Sequence, residues 1–99
     1  MKTLRIRYTR GDYCTQPGGF ILRERDDGEF VVHTFNRQYG SKEPNEYYWG
    51  RYHHNLADAQ EAFNEKVSKA KQFTTGGSLI DEADVDHEIS VEFTPEEMQ

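Results

Sequence analysis

Leu4-Arg5-Ile6-Arg7-Tyr8 alternates apolar and charged residues at a period of two, the mark of a half-buried strand with Leu4, Ile6 and Tyr8 inward and Arg5 and Arg7 outward. Residues 10–19 then carry Gly11, Asp12, Pro17, Gly18 and Gly19, which favour turns, so a loop follows and Gly18-Gly19 reads as a turn. Two β-rich runs, 20–25 and 29–35, flank Asp26-Asp27-Gly28. Asp-Gly between such runs is a strong hairpin cue and predicts antiparallel neighbours. A second polar loop, 36–46, holds Gly40 and Pro44 and leads into Tyr47-Tyr48-Trp49-Gly50-Arg51-Tyr52, whose aromatic density suits a fourth strand. Gly50 marks a bulge or a close approach by the helix.

The period changes after Asn55. Leu56, Ala59, Phe63, Val67 and Ala70 recur at steps of three and four, which predicts an amphipathic helix with Asn55 as N-cap and Asp58 three residues on. Thr74-Thr75-Gly76-Gly77 ends it, and residues 87–93 alternate again as a candidate last strand over 88–93. The expected fold is α+β: an antiparallel sheet of four to five strands with one amphipathic helix packed on one face. Residues 1–77 form the core domain and 78–99 a C-terminal extension. With Leu4, Ile6, Tyr8, Leu22 and Val32 facing the helix, the open face would show Arg5, Arg7, Arg23 and Arg25 and, in one register, Trp49 and Arg51.

Composition narrows the class. At 99 residues there is room for one core, and aromatic residues, 13% of the chain, must supply much of its burial. A transmembrane protein, a collagen, a two-domain enzyme and a disulfide scaffold are excluded, the last because Cys14 is the only cysteine. A lone thiol and an N-terminus without the apolar run of a signal peptide lead us to expect a cytoplasmic protein, in the host cytoplasm if phage-encoded. The net charge of −6 argues against broad binding to nucleic acid or anionic membrane. That charge is segregated. Residues 78–99 contain Asp81, Glu82, Asp84, Asp86, Glu88, Glu92, Glu96 and Glu97 and no Lys or Arg, a charge of −8, whereas residues 1–77 carry +2.

Two constellations follow from that split. Arginines at alternate strand positions beside Trp49 present guanidinium groups in rows, a pattern that contacts phosphates and stacks bases. The ordinary reading is a solvated outer face, and a third is that the segment with Glu88 and Glu92 lies over these arginines. The acidic extension itself reproduces the charge line of a nucleic-acid backbone and would suit a basic site on a partner, although acidic tails also serve only solubility. His33, His53, His54, His87 and Cys14 lack metal-ligand spacing, and Asp58, Glu61 and Glu65 read as a solvated helix face. Neither G-x-S-x-G nor a phosphate-cradling glycine loop is present. We expect no enzyme, no metal and no cofactor.

Trp49-Gly50-Arg51-Tyr52 followed by Asn55-Leu56-Ala57-Asp58-Ala59 and Ala62-Phe63 resembles the strand-to-helix passage of AP2-type DNA-binding domains over about fifteen residues. That resemblance implies a sheet-based reader of nucleic acid using Arg5, Arg7, Arg23, Arg25, Trp49 and Arg51. Departures from it are His53-His54, an added first strand and the acidic end. As a class, the chain also resembles small acidic proteins of phages and mobile elements, of the anti-CRISPR or anti-restriction type, through its size, its single cysteine, the 47–63 passage and the charge split. This likeness implies a non-catalytic inhibitor of a host-defence, nucleic-acid-processing complex. Its partner would be a host protein or ribonucleoprotein with a basic nucleic-acid site, met by Asp81, Glu82, Asp84, Asp86, Glu88 and Glu92 with Tyr47 and Trp49 as anchors. No membrane partner is expected, and an exposed sheet edge would allow a homodimer.

Overall fold

The computed structural model describes residues 1–10, 16–38, 40–73 and 79–80. Five strands, β1 (Lys2–Thr9), β2 (Gly18–Glu24), β3 (Phe30–Arg37), β4 (Pro44–His53) and β5 (Leu79–Ile80), form one sheet in the order β4-β3-β2-β1-β5. Every neighbouring pair is antiparallel. One helix among the described residues, α1 (Leu56–Phe73), packs on one face, so the protein is α+β. The β2–β3 hairpin turns through Asp26-Asp27-Gly28. Gly28 at φ 87° takes the left-handed position such a loop requires, and the amide of Arg25 donates to Glu29 O at 2.7 Å.

Leu22 and Val32 on the sheet and Ala59 and Phe63 on α1 form the helix-side cluster, with Leu4, Phe20, Phe30, Ala62 and Val67 around them. Leu56, expected in the helix's apolar stripe, begins the helix at 39% exposure. A second cluster lies on the opposite face, where Tyr8, Ile21, Phe35 and Ile80 pack together with Ile6 beside them. Tyr8 meets Phe35 edge-on with ring centroids 6.1 Å apart. The sheet therefore has a core on both faces, and the expected inward set needs correction.

A β-bulge between Thr3 and Arg5 causes the change. Thr3 pairs Arg23 and Arg5 pairs Leu22, so β1 spends one extra residue and its side chains change face beyond that point. Leu4 keeps the helix side. Ile6 and Tyr8 turn away from the helix, and Arg5 and Arg7 turn toward it, the reverse of what unbroken alternation predicts. The Arg5 guanidinium stacks 4.6 Å from the Phe63 ring centre and donates to Asn64 Oδ1 at 2.9 Å.

Gly18 and Gly19 belong to β2 and are not a turn. A side chain at Gly19 would strike Arg7 O at 2.2 Å, so the close approach of β1, and not a bend, requires glycine there. The predicted polar loop 36–46 is likewise shorter, because Asn36 and Arg37 extend β3 and Pro44 opens β4. Arg37 is fully buried and donates to Gly18 O, Ser41 O and Thr9 O, tying the ends of β1 and β2 to the 38–43 connection. The fifth strand is Leu79–Ile80 paired to Thr9 and Tyr8. The predicted strand at 88–93 lies outside the described residues.

Candidate functional site

The sheet edge at β4 collects the exposed aromatic groups. Val32 pairs Arg51 and Thr34 pairs Tyr48, so Trp49 and Gly50 together oppose His33 in a bulge. Trp49 sits at φ 56°, the only non-glycine residue with positive φ among those described. For a bulky side chain that region costs about 1–2 kcal/mol. The indole nevertheless stays 73% exposed, its ring edge-on to Tyr48 with centroids 5.0 Å apart. Tyr52 and Tyr47 on the same strand are 57% and 42% exposed.

On the face away from α1, these tyrosines interleave with cations. The Arg23 guanidinium lies 4.2 Å from the centre of the Tyr47 ring and that of Arg25 lies 5.0 Å from Tyr52. His33 sits between the two tyrosines, 5.5 Å and 6.5 Å from their ring centres. Gly50 is the floor that admits it, since a Cβ there would fall 2.4 Å from His33 Nε2. Arg23 Nη2 lies 3.3 Å from His33 Nδ1. A guanidinium can only donate, so Nδ1 accepts and the imidazole proton resides on Nε2. Burial holds this imidazole below its ordinary pKa, and the charges of Arg23 and Lys66 push the same way. Arg23 Nε is shielded from solvent and makes no hydrogen bond. Arg25 also reaches Asp27 Oδ2 at 3.5 Å, whereas Arg23 has no carboxylate partner among the described residues.

The structure thus divides the arginines that the sequence assigned to one face. Arg23 and Arg25 share the surface with Tyr47 and Tyr52. Arg5 and Arg7 follow the β1 bulge to the helix side, and Arg51, paired with Val32, joins them there. Arg51, Lys66 and Lys69 line a cleft of about 160 Å³ between β4 and α1, together with Ala62 and Glu65. Asp81, Glu82, Asp84, Asp86, Glu88 and Glu92 lie outside the described residues, as do Cys14 and His87.

Among the described residues no group of three His, Cys, Asp or Glu side chains is placed to hold a metal ion. Asp58 serves the helix cap, Glu65 pairs with Lys69 at 3.1 Å, and His54 Nδ1 lies 2.9 Å from Glu29 Oε1. No described helix is long and apolar enough to cross a membrane.

Sequence reasoning missed His33 and Tyr52 as members of the aromatic face, and Lys66 and Lys69 as partners of Arg51. Gly50 was the available signal: the bulge it marks is there, but the group that packs on its bare backbone is His33 of β3 and not the helix. What the face offers chemically is recognition: cations stacked on rings, ring edges and hydrogen-bond donors. No protein-family model matches this chain, and neither a curated protein nor a solved structure does.

Proposed function

We propose that the protein is a non-catalytic binding protein that docks on another macromolecule through the aromatic rim of β4. Trp49 carries this reading. A tryptophan held at positive φ and left in water costs the fold free energy and contributes little burial in return, the balance expected of a residue kept for a contact outside the molecule. In its sharp form, the protein is a phage or mobile-element inhibitor of a host-defence complex that processes nucleic acid. Tyr47 and Trp49 anchor the contact, and Asp81, Glu82, Asp84, Asp86, Glu88 and Glu92 meet the lysines and arginines of the partner's nucleic-acid site.

The single tryptophan makes the test direct. Saturable capture of a defence nuclease complex should shift the Trp49 emission to the blue and inhibit the nuclease. Trp49→Gly should abolish capture while keeping the fold, because glycine relieves the strained φ and gives up a mostly exposed ring whose edge meets Tyr48. Its stability should stay within about 1 kcal/mol of the parent. Replacing Asp81, Glu82, Asp84 and Asp86 together by Lys should also release the partner. Undiminished capture by Trp49→Gly would remove the anchor, and undiminished capture by the lysine variant would remove the acidic contact.

The stacked pairs Arg23–Tyr47 and Arg25–Tyr52 favour a second reading, a small sheet-based nucleic-acid binder. It calls for a mobility shift with single-stranded oligonucleotides at low salt that weakens as salt rises and is lost in Arg23→Gln/Arg25→Gln. No shift at low salt would eliminate it.

A further inference from the structure

The face of β4 that looks toward α1 carries a different constellation. Arg51 sits beside Val32 on that face, and Lys66 reaches from the helix to Thr34 Oγ1 at 3.4 Å, two positions further along β3. Lys69, one helical step on, lines the same cleft. Only one carboxylate, Glu65, is present in the lining, and Lys69 takes it up at 3.1 Å. Arg51 and Lys66 have no carboxylate within ion-pair distance among the described residues, so these two positive charges share the space with a Glu65 that is already paired to Lys69. With about 160 Å³ the cleft holds several waters, or one tetrahedral oxyanion in their place.

We propose that this cleft is a phosphate-binding subsite, in which Arg51 and Lys66 donate to the oxyanion and Lys69 adds charge at the rim. Guanidinium and ammonium groups suit the task differently, Arg51 as a planar fork and Lys66 as a point charge. The state of Lys66 supports it. Burial lowers its pKa most, and Arg51 and Lys69 lower it further while Glu65 raises it, so its ammonium sits among like charges that one carboxylate offsets in part. A bound oxyanion offsets the remainder. The phosphate belongs either to a small phosphorylated molecule or to a nucleic-acid backbone, and the chemistry of the cleft is the same for both.

This inference is independent of the docking reading, because the cleft lies on the helix side of β4 and its test uses no protein partner. The test is a two-dimensional amide NMR titration of the full chain at constant low ionic strength, with inorganic phosphate as the probe and chloride as the control. Expected are saturable shifts at Arg51, Lys66 and Lys69 with phosphate, absent with chloride, and a rise in the Lys66 side-chain pKa when phosphate is bound. Loss of one charged donor in Lys66→Met or Arg51→Gln should weaken phosphate binding about tenfold or more. Far-UV circular dichroism and the remaining amide shifts establish that each variant is folded.

A mononucleotide and a short oligothymidylate identify the source. Tighter binding of the oligomer assigns a chain phosphate, and equal binding assigns a small phosphorylated ligand. Equal shifts with chloride, no shift with phosphate, or unchanged phosphate binding in both folded variants would overturn the proposal.

Discussion

His33 shows how one residue records its surroundings. Its Nδ1 accepts from Arg23 at 3.3 Å, its ring covers Gly50, and Tyr47 and Tyr52 stand on either side. Burial disfavours the charged imidazole, and protonation also replaces that accepted hydrogen bond with two like charges, so desolvation first and then Arg23 lower its pKa. The consequence for stability has a definite sign. As pH falls through 6.5 the unfolded chain takes up the proton first, so the folded state loses stability until the pH passes below the lowered folded value. Stability should therefore rise with pH across that window, and this contribution should be constant above it. Urea midpoints between pH 5 and 8 check the prediction by comparing the parent with His33→Gln, which retains the other three histidines. The difference between the two curves should change only below about pH 6.5. A parallel pair of curves would remove His33 from the account.

The helix and the bulged strands differ in how far their own sequences specify them. At the start of α1, Asn55 Oδ1 accepts from the Asp58 amide at 2.9 Å and Asn55 Nδ2 donates to Asp58 Oδ2 at 3.0 Å, a reciprocal cap within four consecutive residues. Asn55→Ala should cost about 1 kcal/mol and lower the melting temperature by about 4–8 °C, followed by circular dichroism at 222 nm, with Asn55→Ser recovering most of the loss. An unchanged melting temperature in Asn55→Ala would deny the cap its role. Such features are legible in sequence because cause and effect lie within one turn, and the Asp-Gly hairpin is legible for the same reason. The bulges are not. Nothing in Leu4-Arg5-Ile6-Arg7-Tyr8 distinguishes even alternation from alternation shifted by one residue. The choice is made by Phe35 and Ile21, which offer Tyr8 a second cluster, and by Phe63, whose ring accepts the Arg5 stack. Those partners are 13 to 58 residues away in the chain. For the candidate site, the consequence is that Tyr47 and Trp49 of β4 and the pair Arg23 and Arg25 were readable as a surface, while Arg5 and Arg7, and in one register Arg51, were assigned to the wrong side of it.

Across the whole molecule, one sheet serves two cores, and this makes the two faces interdependent. Ile21 and Leu22 are consecutive residues of β2, the first in the cluster with Tyr8 and Phe35, the second in the cluster with Phe63. Neither cluster can disperse while β2 remains paired, so both faces should unfold in one transition, as expected of a domain this size. The faces carry separate probes. Ellipticity at 222 nm reports α1, and the near-UV signal of Tyr8 and Tyr47, packed against Phe35 and Arg23, reports the face opposite it. Phe63→Ala removes a fully buried ring from the helix side and should cost about 3–5 kcal/mol, a large share of the roughly 5–15 kcal/mol available to a domain of this length. Because the cores share β2, that loss should move both signals to lower urea by the same amount, although Tyr8 and Tyr47 do not belong to the Phe63 cluster. If the tyrosine signal survives at urea concentrations where the helix has melted, the sheet holds its far face without α1. The aromatic surface of β4 would then be a unit independent of the helix.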